Sequence, residues 1–119
     1  IMLSIAIGIA ESRKMRRIYI ANHGGDHTIY PDCRPEFIAA IRAAGSAGTF
    51  NNIRIEAPYT LLTKADIVRK GIKLGVDYSM TWSCYKGGEQ HCGTCGTCIE
   101  RHEAFLAAGV KDPTTYEKT

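Results

Sequence analysis

Three cysteines spaced by two residues, Cys92-Gly93-Thr94-Cys95-Gly96-Thr97-Cys98, with Cys84 upstream, constrain this chain more than any other feature. The pattern Cys-x7-Cys-x2-Cys-x2-Cys matches the tetrahedral, closed shell of a structural zinc site, and the interleaved glycines let the backbone turn around an ion. An iron–sulfur cluster, which also takes four thiolates, and a set of reduced structural cysteines are the competing readings. Cys33 brings the count to five, and an odd, clustered set differs from the even, dispersed cysteines of a disulfide framework. Reduced thiols and a cytoplasmic location are therefore expected. His91 stands next to the cluster, but four cysteines already complete a shell. Such a shell leaves no position for water or substrate, so the metal is expected to order its loop rather than perform chemistry.

The rest of the chain alternates. Residues 2–15 carry apolar side chains at helical spacing and lead into Arg13, Lys14, Arg16 and Arg17, cations that would suit a helix C-terminus. Residues 18–21 are a short apolar run, as in a strand buried on both faces. A polar loop over 22–34 precedes Pro35, which opens a second helix expected to stop at Gly45. Residues 53–57 alternate like a strand up to Pro58. Thr63 and Asp66 resemble a capping box for a third helix running to Gly75. A last helix is expected from about Ile99 to Ala108, ended by Gly109, with a turn at Asp112-Pro113-Thr114. Helix, strand, helix, strand, helix argues for an α/β fold with a parallel sheet, whose ligands bind beyond the carboxyl ends of the strands. Residues 1–83 read as the α/β part and 84–119 as a zinc-binding segment with a C-terminal helix.

Composition excludes several classes. The net charge of +3 comes from basic residues spread along the chain, so nucleic-acid binding by bulk electrostatics is not expected. The apolar opening, residues 1–10, is shorter than the roughly 20 residues of a spanning helix, and no positive region precedes it as in a signal peptide. A chain that begins on Ile1 and enters a buried-type helix at once is expected to lack its true N-terminus.

The densest run of functional side chains is His23-Gly24-Gly25-Asp26-His27 followed by Tyr30-Pro31-Asp32-Cys33-Arg34-Pro35-Glu36-Phe37. Carboxylates and an arginine beside a helix N-terminus can hold a polar planar ligand by directional hydrogen bonds; the plainer reading is a turn stabilised by its own pairs. Cys33 as a catalytic thiol and His23, Asp26 and His27 as a second metal site are weaker readings of the same loop. Lys64 can meet a phosphate or stand as a surface lysine. Trp82 can stack on a base or fill the core.

Taken together, the run from Tyr30 to Phe37, Thr63-Lys64-Ala65-Asp66-Ile67-Val68, Thr81-Trp82-Ser83-Cys84-Tyr85, the cysteine cluster and Asp112-Pro113-Thr114-x-Tyr116 resemble the C-terminal half of the 7-cyano-7-deazaguanine synthase family. The resemblance implies an adenine-nucleotide α-hydrolase-like, Rossmann-like fold, of which this is the C-terminal part. It also implies an ATP-dependent ligase of the N-type ATP pyrophosphatase superfamily. Such an enzyme converts 7-carboxy-7-deazaguanine and ammonia to the nitrile through an acyl adenylate, feeding queuosine or archaeosine in tRNA. It implies a homodimer and one zinc per chain on Cys84, Cys92, Cys95 and Cys98. Tyr30, Asp32, Arg34, Glu36 and Lys64 are then the candidate substrate-binding residues. Asp32 and Glu36 would meet the base edge or orient Arg34, Arg34 would take the carboxylate, and Lys64 phosphate charge. The family's Ser-Gly-Gly-x-Asp-Ser phosphate loop is nowhere in this chain, so the polypeptide is expected to be an incomplete fragment, inactive alone. Two alternatives stand beside this reading: a free-standing zinc module that binds RNA or a protein partner through Arg13–Arg17 and the cysteine loop, and a related ATP pyrophosphatase acting on another substrate.

Overall fold

A computed structural model describes residues 2–117; Ile1, where the apolar opening begins, lies outside them, as do residues 118 and 119. The chain is α/β with a small parallel sheet and divides into two compact units, Ile1–Thr63 and Lys64–Thr119. The third helix thus packs with the cysteine segment.

The first unit runs α1 (Met2–Ser12), β1 (Arg17–Tyr19), α2 (Pro35–Ala47) and β2 (Arg54–Glu56). The strands pair in parallel with Arg17 opposite Arg54 and Ile18 opposite Ile55. Its core is aliphatic: Ile53 and Ile55 are fully buried, with Ile38 of α2 and Ala10 of α1 nearly so. Each buried isoleucine contributes on the order of 1.5–3 kcal/mol. Hydrogen bonds tie α2 to the second strand. Arg42 Nε donates to the Ile55 carbonyl at 2.6 Å, and Thr49 Oγ1 accepts from the Ile53 N–H at 3.1 Å while donating to the Gly45 carbonyl.

Three sequence expectations are corrected here. Helix α1 ends at Ser12, before the basic residues. Lys14 takes a left-handed φ of 54°, and the Met15 and Lys14 N–H groups return to the Ala10 and Glu11 carbonyls. The arginines and lysine therefore do not sit in the last helical turn, and the helix closes by a Schellman arrangement instead. Strand β1 covers 17–19 rather than 18–21, and only Ile18 is half-buried between exposed neighbours. Gly45 does not stop α2. It lies buried inside the helix, where an added Cβ would come within 3.3 Å of Ile7 Cδ1, so its small size serves the packing of α1; Gly48 caps the helix through its N–H to the Ala44 carbonyl.

The second unit comprises α3 (Lys64–Lys73), a 3-10 turn (Tyr78–Met80), the cysteine loop and α4 (Gly96–Ala108). Val68 of α3 packs with Ala104 and Phe105 of α4, and the Tyr78 ring meets Phe105 edge-on at 5.1 Å. Helix α4 starts three residues before the expected Ile99, with Cys95 as its N-cap, so Cys98 lies in its first turn. Gly109 ends it at φ 73°, as expected. The tail returns along the cysteine loop: the His91 N–H reaches the Thr115 carbonyl and the Glu117 N–H the His91 carbonyl. No helix among the described residues is long and apolar enough to cross a membrane.

Candidate functional site

The cysteine pattern closes as its spacing requires. Sγ atoms of Cys84, Cys92, Cys95 and Cys98 all lie within 4.8 Å of one another, and Cys92 and Cys98 Sγ are 4.0 Å apart. A tetrahedral ion with bonds of about 2.3 Å needs sulfur–sulfur edges of about 3.8 Å, so only a small contraction separates these four from a coordination shell. Gly93 makes the turn between two of them at φ 71°. The four cysteines could thus hold a metal ion.

Local hydrogen bonds prepare the thiols unequally. Thr94 lowers Cys92 through its hydroxyl and its N–H, and the Cys95 N–H points at Cys92 Sγ at 3.3 Å. The Thr97 hydroxyl beside Cys95 Sγ, at 3.3 Å, joins backbone N–H groups in lowering that thiol to about 5. Burial pushes the Cys98 thiol up to about 12. Cys92 and Cys95 are thus poised to ionise, whereas buried Cys98 is not.

His91 is not a fifth candidate ligand. Its Nε2 accepts the Ser83 N–H at 3.1 Å, and its ring lies between Trp82, at 4.2 Å, and Tyr116, at 5.9 Å. Burial lowers its pKa, with the Arg101 charge adding to the effect. The neutral ring is a packing and hydrogen-bonding support for the cysteine loop.

The polar loop of the first unit folds back on itself. Asn22, buried, donates to the Cys33 carbonyl at 2.9 Å and to Thr60 Oγ1 at 3.2 Å. His23 Nδ1 accepts the Gly25 N–H, and its Nε2 stands 3.1 Å from Asp26. Arg34 Nε donates to the His27 carbonyl at 2.8 Å, and the Tyr30-Pro31-Asp32-Cys33 stretch forms a 3-10 turn over Pro31–Cys33 leading into α2. Tyr30, Asp32, Arg34 and Glu36 are all exposed around that helix start. Among the described residues, Tyr30, Asp32 and Glu36 make no side-chain hydrogen bond or ion pair, so neither carboxylate orients Arg34. Burial, with Asp26 and Asp32 nearby, raises the Cys33 thiol, the opposite of what a nucleophile requires. The only group of potential metal ligands found among the described residues is the four-cysteine one, which does not include His23, Asp26 and His27. Lys64 belongs to the second unit and pairs with Glu100.

Arg101 carries weight that the sequence reading missed. The residue is 9% exposed, and its guanidinium donates to Thr114 Oγ1 (2.6 Å), Ser83 Oγ (3.2 Å), the Tyr78 carbonyl (2.8 Å) and Thr81 Oγ1 (2.9 Å), and lies 5.4 Å from the centre of the Phe105 ring. It thereby joins the 3-10 turn, the approach to Cys84 and the C-terminal tail. The signal was present: Cys98, Arg101 and Phe105 share one helix face at spacings of three and four. In the tail, Asp112 accepts from the Thr114 N–H at 2.9 Å and the Tyr116 hydroxyl at 2.6 Å. Burial and the Asp112 partner push the Tyr116 phenol up to about 12, so it stays protonated and donates.

The family model described as "Queuosine biosynthesis protein QueC" matches residues 1–109. The chain is 63% identical over 117 residues to the 7-cyano-7-deazaguanine synthase of Porphyromonas gingivalis, covering 98% of this chain and 53% of that protein. It is 56% identical to the enzyme of the same name from Brucella anthropi, and 53% identical to that from Caldicellulosiruptor saccharolyticus, again over 98% of the chain and about half of each relative. The chain spans about half the length of the curated relatives it matches. With a family match over most of its residues and this identity throughout, the chain belongs to the QueC family of queuosine-biosynthesis proteins.

Proposed function

We propose that this chain is the C-terminal half of an ATP-dependent ligase that converts 7-carboxy-7-deazaguanine and ammonia to 7-cyano-7-deazaguanine. The observation that carries the proposal is 63% identity, over nearly the whole chain, to a relative of that name. In this reading residues 1–83 are the C-terminal part of a Rossmann-like, adenine-nucleotide α-hydrolase-like domain, and 84–119 the zinc-binding segment. The enzyme works in the cytoplasm, as a homodimer, toward tRNA modification. A carboxylate oxygen attacks the α-phosphorus of ATP and pyrophosphate leaves. Ammonia then attacks the acyl carbon and AMP leaves, giving the amide, whose oxygen attacks the α-phosphorus of a second ATP with loss of pyrophosphate; AMP then departs with that oxygen as the nitrogen gives up its two protons, leaving the nitrile.

The residues divide the labour by chemistry. Arg34, steadied by the His27 carbonyl, offers its remaining N–H groups to the substrate carboxylate, while Asp32, Glu36 and Tyr30, free of other partners, meet the donors of the base edge. Lys64 meets phosphate charge. Zinc, held on Cys84, Cys92, Cys95 and Cys98, supplies structure: a closed shell that fixes the loop from Ser83 to α4. Positioning and exclusion of water are what an acyl adenylate needs from a protein.

The test is a chimera in which this chain replaces the matching half of the Porphyromonas gingivalis relative. Product nitrile, read by mass spectrometry with ATP and ammonia supplied, is expected at a rate within about tenfold of the parent, a loss below about 1.4 kcal/mol of transition-state stabilisation. A folded, metal-loaded chimera that binds ATP and makes neither amide nor nitrile would overturn the proposal.

A further inference from the structure

One pocket of the first unit is lined almost entirely by cations and amides. It measures about 390 Å³, within the size range of small-molecule sites, and is bounded by Arg16, Arg17, Phe50, Asn51, Asn52 and Arg54. Arg17 and Arg54 are the first residues of β1 and β2, so the pocket lies at the amino ends of the strands. The polar loop over 22–34 leaves from the other, carboxyl end of β1, the end at which α/β folds ordinarily bind their ligands.

The charges of this pocket have no partners in the chain. The register sets Arg17 opposite Arg54, two cations on one face of neighbouring strands about 4.8 Å apart, an arrangement that costs stability unless an anion joins it. Arg34, Arg42, Arg69 and Arg101 each donate to an acceptor within the chain. Among the described residues, by contrast, the side chains of Arg16, Arg17 and Arg54 make no hydrogen bond or ion pair. Glu56 shares the strand face with Arg54, two residues on, and is not within ion-pair distance of it. Glu11 is committed to the wall instead: its carboxylate accepts the Phe50 N–H at 3.0 Å, the Asn51 N–H at 3.3 Å and the Asn51 amide at 3.0 Å. Those bonds fix the turn that carries half of the lining. The Asn52 amide oxygen takes the Ser46 hydroxyl at 3.0 Å, which leaves its N–H groups for a ligand.

We propose that this pocket binds a compact anion carrying two or more linked phosphate groups, held by paired N–H donors of Arg17 and Arg54 with Arg16 and the Asn52 amide completing the contacts. Three guanidiniums converging on one concavity suit a small, highly charged anion, since each offers a planar fork to a phosphate. A stripe of cations along an open face would suit a polymer instead. The site is separate from the ligand positions given above to the polar loop and to Lys64.

The probe is inorganic tripolyphosphate, titrated calorimetrically into the metal-loaded chain with metal content checked afterwards. One saturable site is expected, weakening as salt is raised and binding orthophosphate about tenfold less well or worse. Arg17→Gln and Arg54→Gln should each weaken tripolyphosphate about tenfold or more, and Arg54→Lys should recover only part, because an ammonium lacks the paired donors. Arg69→Gln, which removes the same charge from the second unit, should leave the affinity unchanged. Because the facing cations repel, the free Arg54→Gln chain should melt no lower than the parent, so its loss of binding is not a loss of fold. Tripolyphosphate should raise the melting temperature of the parent and not that of Arg54→Gln. No saturable binding, or equal affinities in the parent and both glutamine variants, would overturn the site. Hexauridylate bound where tripolyphosphate is not would also overturn it, and would make this face a nucleic-acid surface.

Discussion

Replacing Arg101 with Met removes a buried guanidinium and keeps most of its aliphatic bulk. Four hydrogen bonds from a charged donor, at about 1.5–3 kcal/mol each, would amount to about 6–12 kcal/mol if they were additive. Two features of the structure reduce this. The Tyr78 carbonyl keeps the Thr81 N–H and hydroxyl as donors, and the remaining acceptors are hydroxyls that can rotate toward other partners. The substitution also takes the charge away rather than stranding it, and Asp112, whose carboxylate Arg101 helps to stabilise, keeps its hydrogen bonds from Thr114 and Tyr116. The expected net loss is about 2–4 kcal/mol, with part of the contact over Phe105 retained by the methionine thioether. Urea unfolding of the metal-loaded chain, followed by Trp82 fluorescence, should show a midpoint lower by roughly 1–2 M. Arg101→Lys should recover little, because an ammonium cannot span acceptors set for a planar fork. A midpoint within about 0.3 M of the parent at unchanged slope would refute the view that Arg101 joins the turn, the cysteine loop and the tail.

Cys95→Ser should abolish stoichiometric metal in elemental analysis and open the segment after Ser83 to limited proteolysis; one retained equivalent of metal would remove Cys95 from the shell. Gly71→Ala should destabilise by about 1–3 kcal/mol, since its Cβ would meet the Tyr78 hydroxyl, and Tyr78→Phe should cost less in that background than alone, a coupling read in a double-mutant cycle. Burial pushes the Asp112 carboxyl up, but hydrogen bonds from Thr114 and Tyr116 outweigh it and hold the group below its ordinary value. Its contribution is complete above the unfolded carboxyl pKa and disappears as pH falls through the lower folded value. The stability gap between parent and Asp112→Asn should therefore be widest near neutrality and close in acid; a gap that widened on acidification would contradict this reading.

What the sequence disclosed follows from the range of the interactions concerned. The cysteine cluster was fully legible, because ligands within fifteen residues leave the chain little freedom once they converge. Helix α4 ends as Gly109 requires, and the parallel pairing of β1 with β2 follows from the helix between them. Gly45 misled for a tertiary reason: only the approach of Ile7 distinguishes a packing glycine from a stop. The end of α1 depended on Lys14 taking a left-handed φ, to which a lysine gives no clue. For the candidate site, the Tyr30–Phe37 side chains were found, but the internal bonds of the loop to His27 and Asn22 were not, because they join backbone groups. Arg101 was passed over because a lone arginine between Glu100 and His102 reads as solvated until the acceptors from three other segments are assembled around it.

The most direct test of the central claim follows oxygen. With 7-carboxy-7-deazaguanine labelled by 18O in its carboxylate, the chimera should place one labelled oxygen in each AMP released, one at amide formation and one at dehydration, with none in pyrophosphate. Label appearing in inorganic phosphate, or nitrile formed without label in AMP, would contradict activation by adenylation and with it the function proposed for this chain.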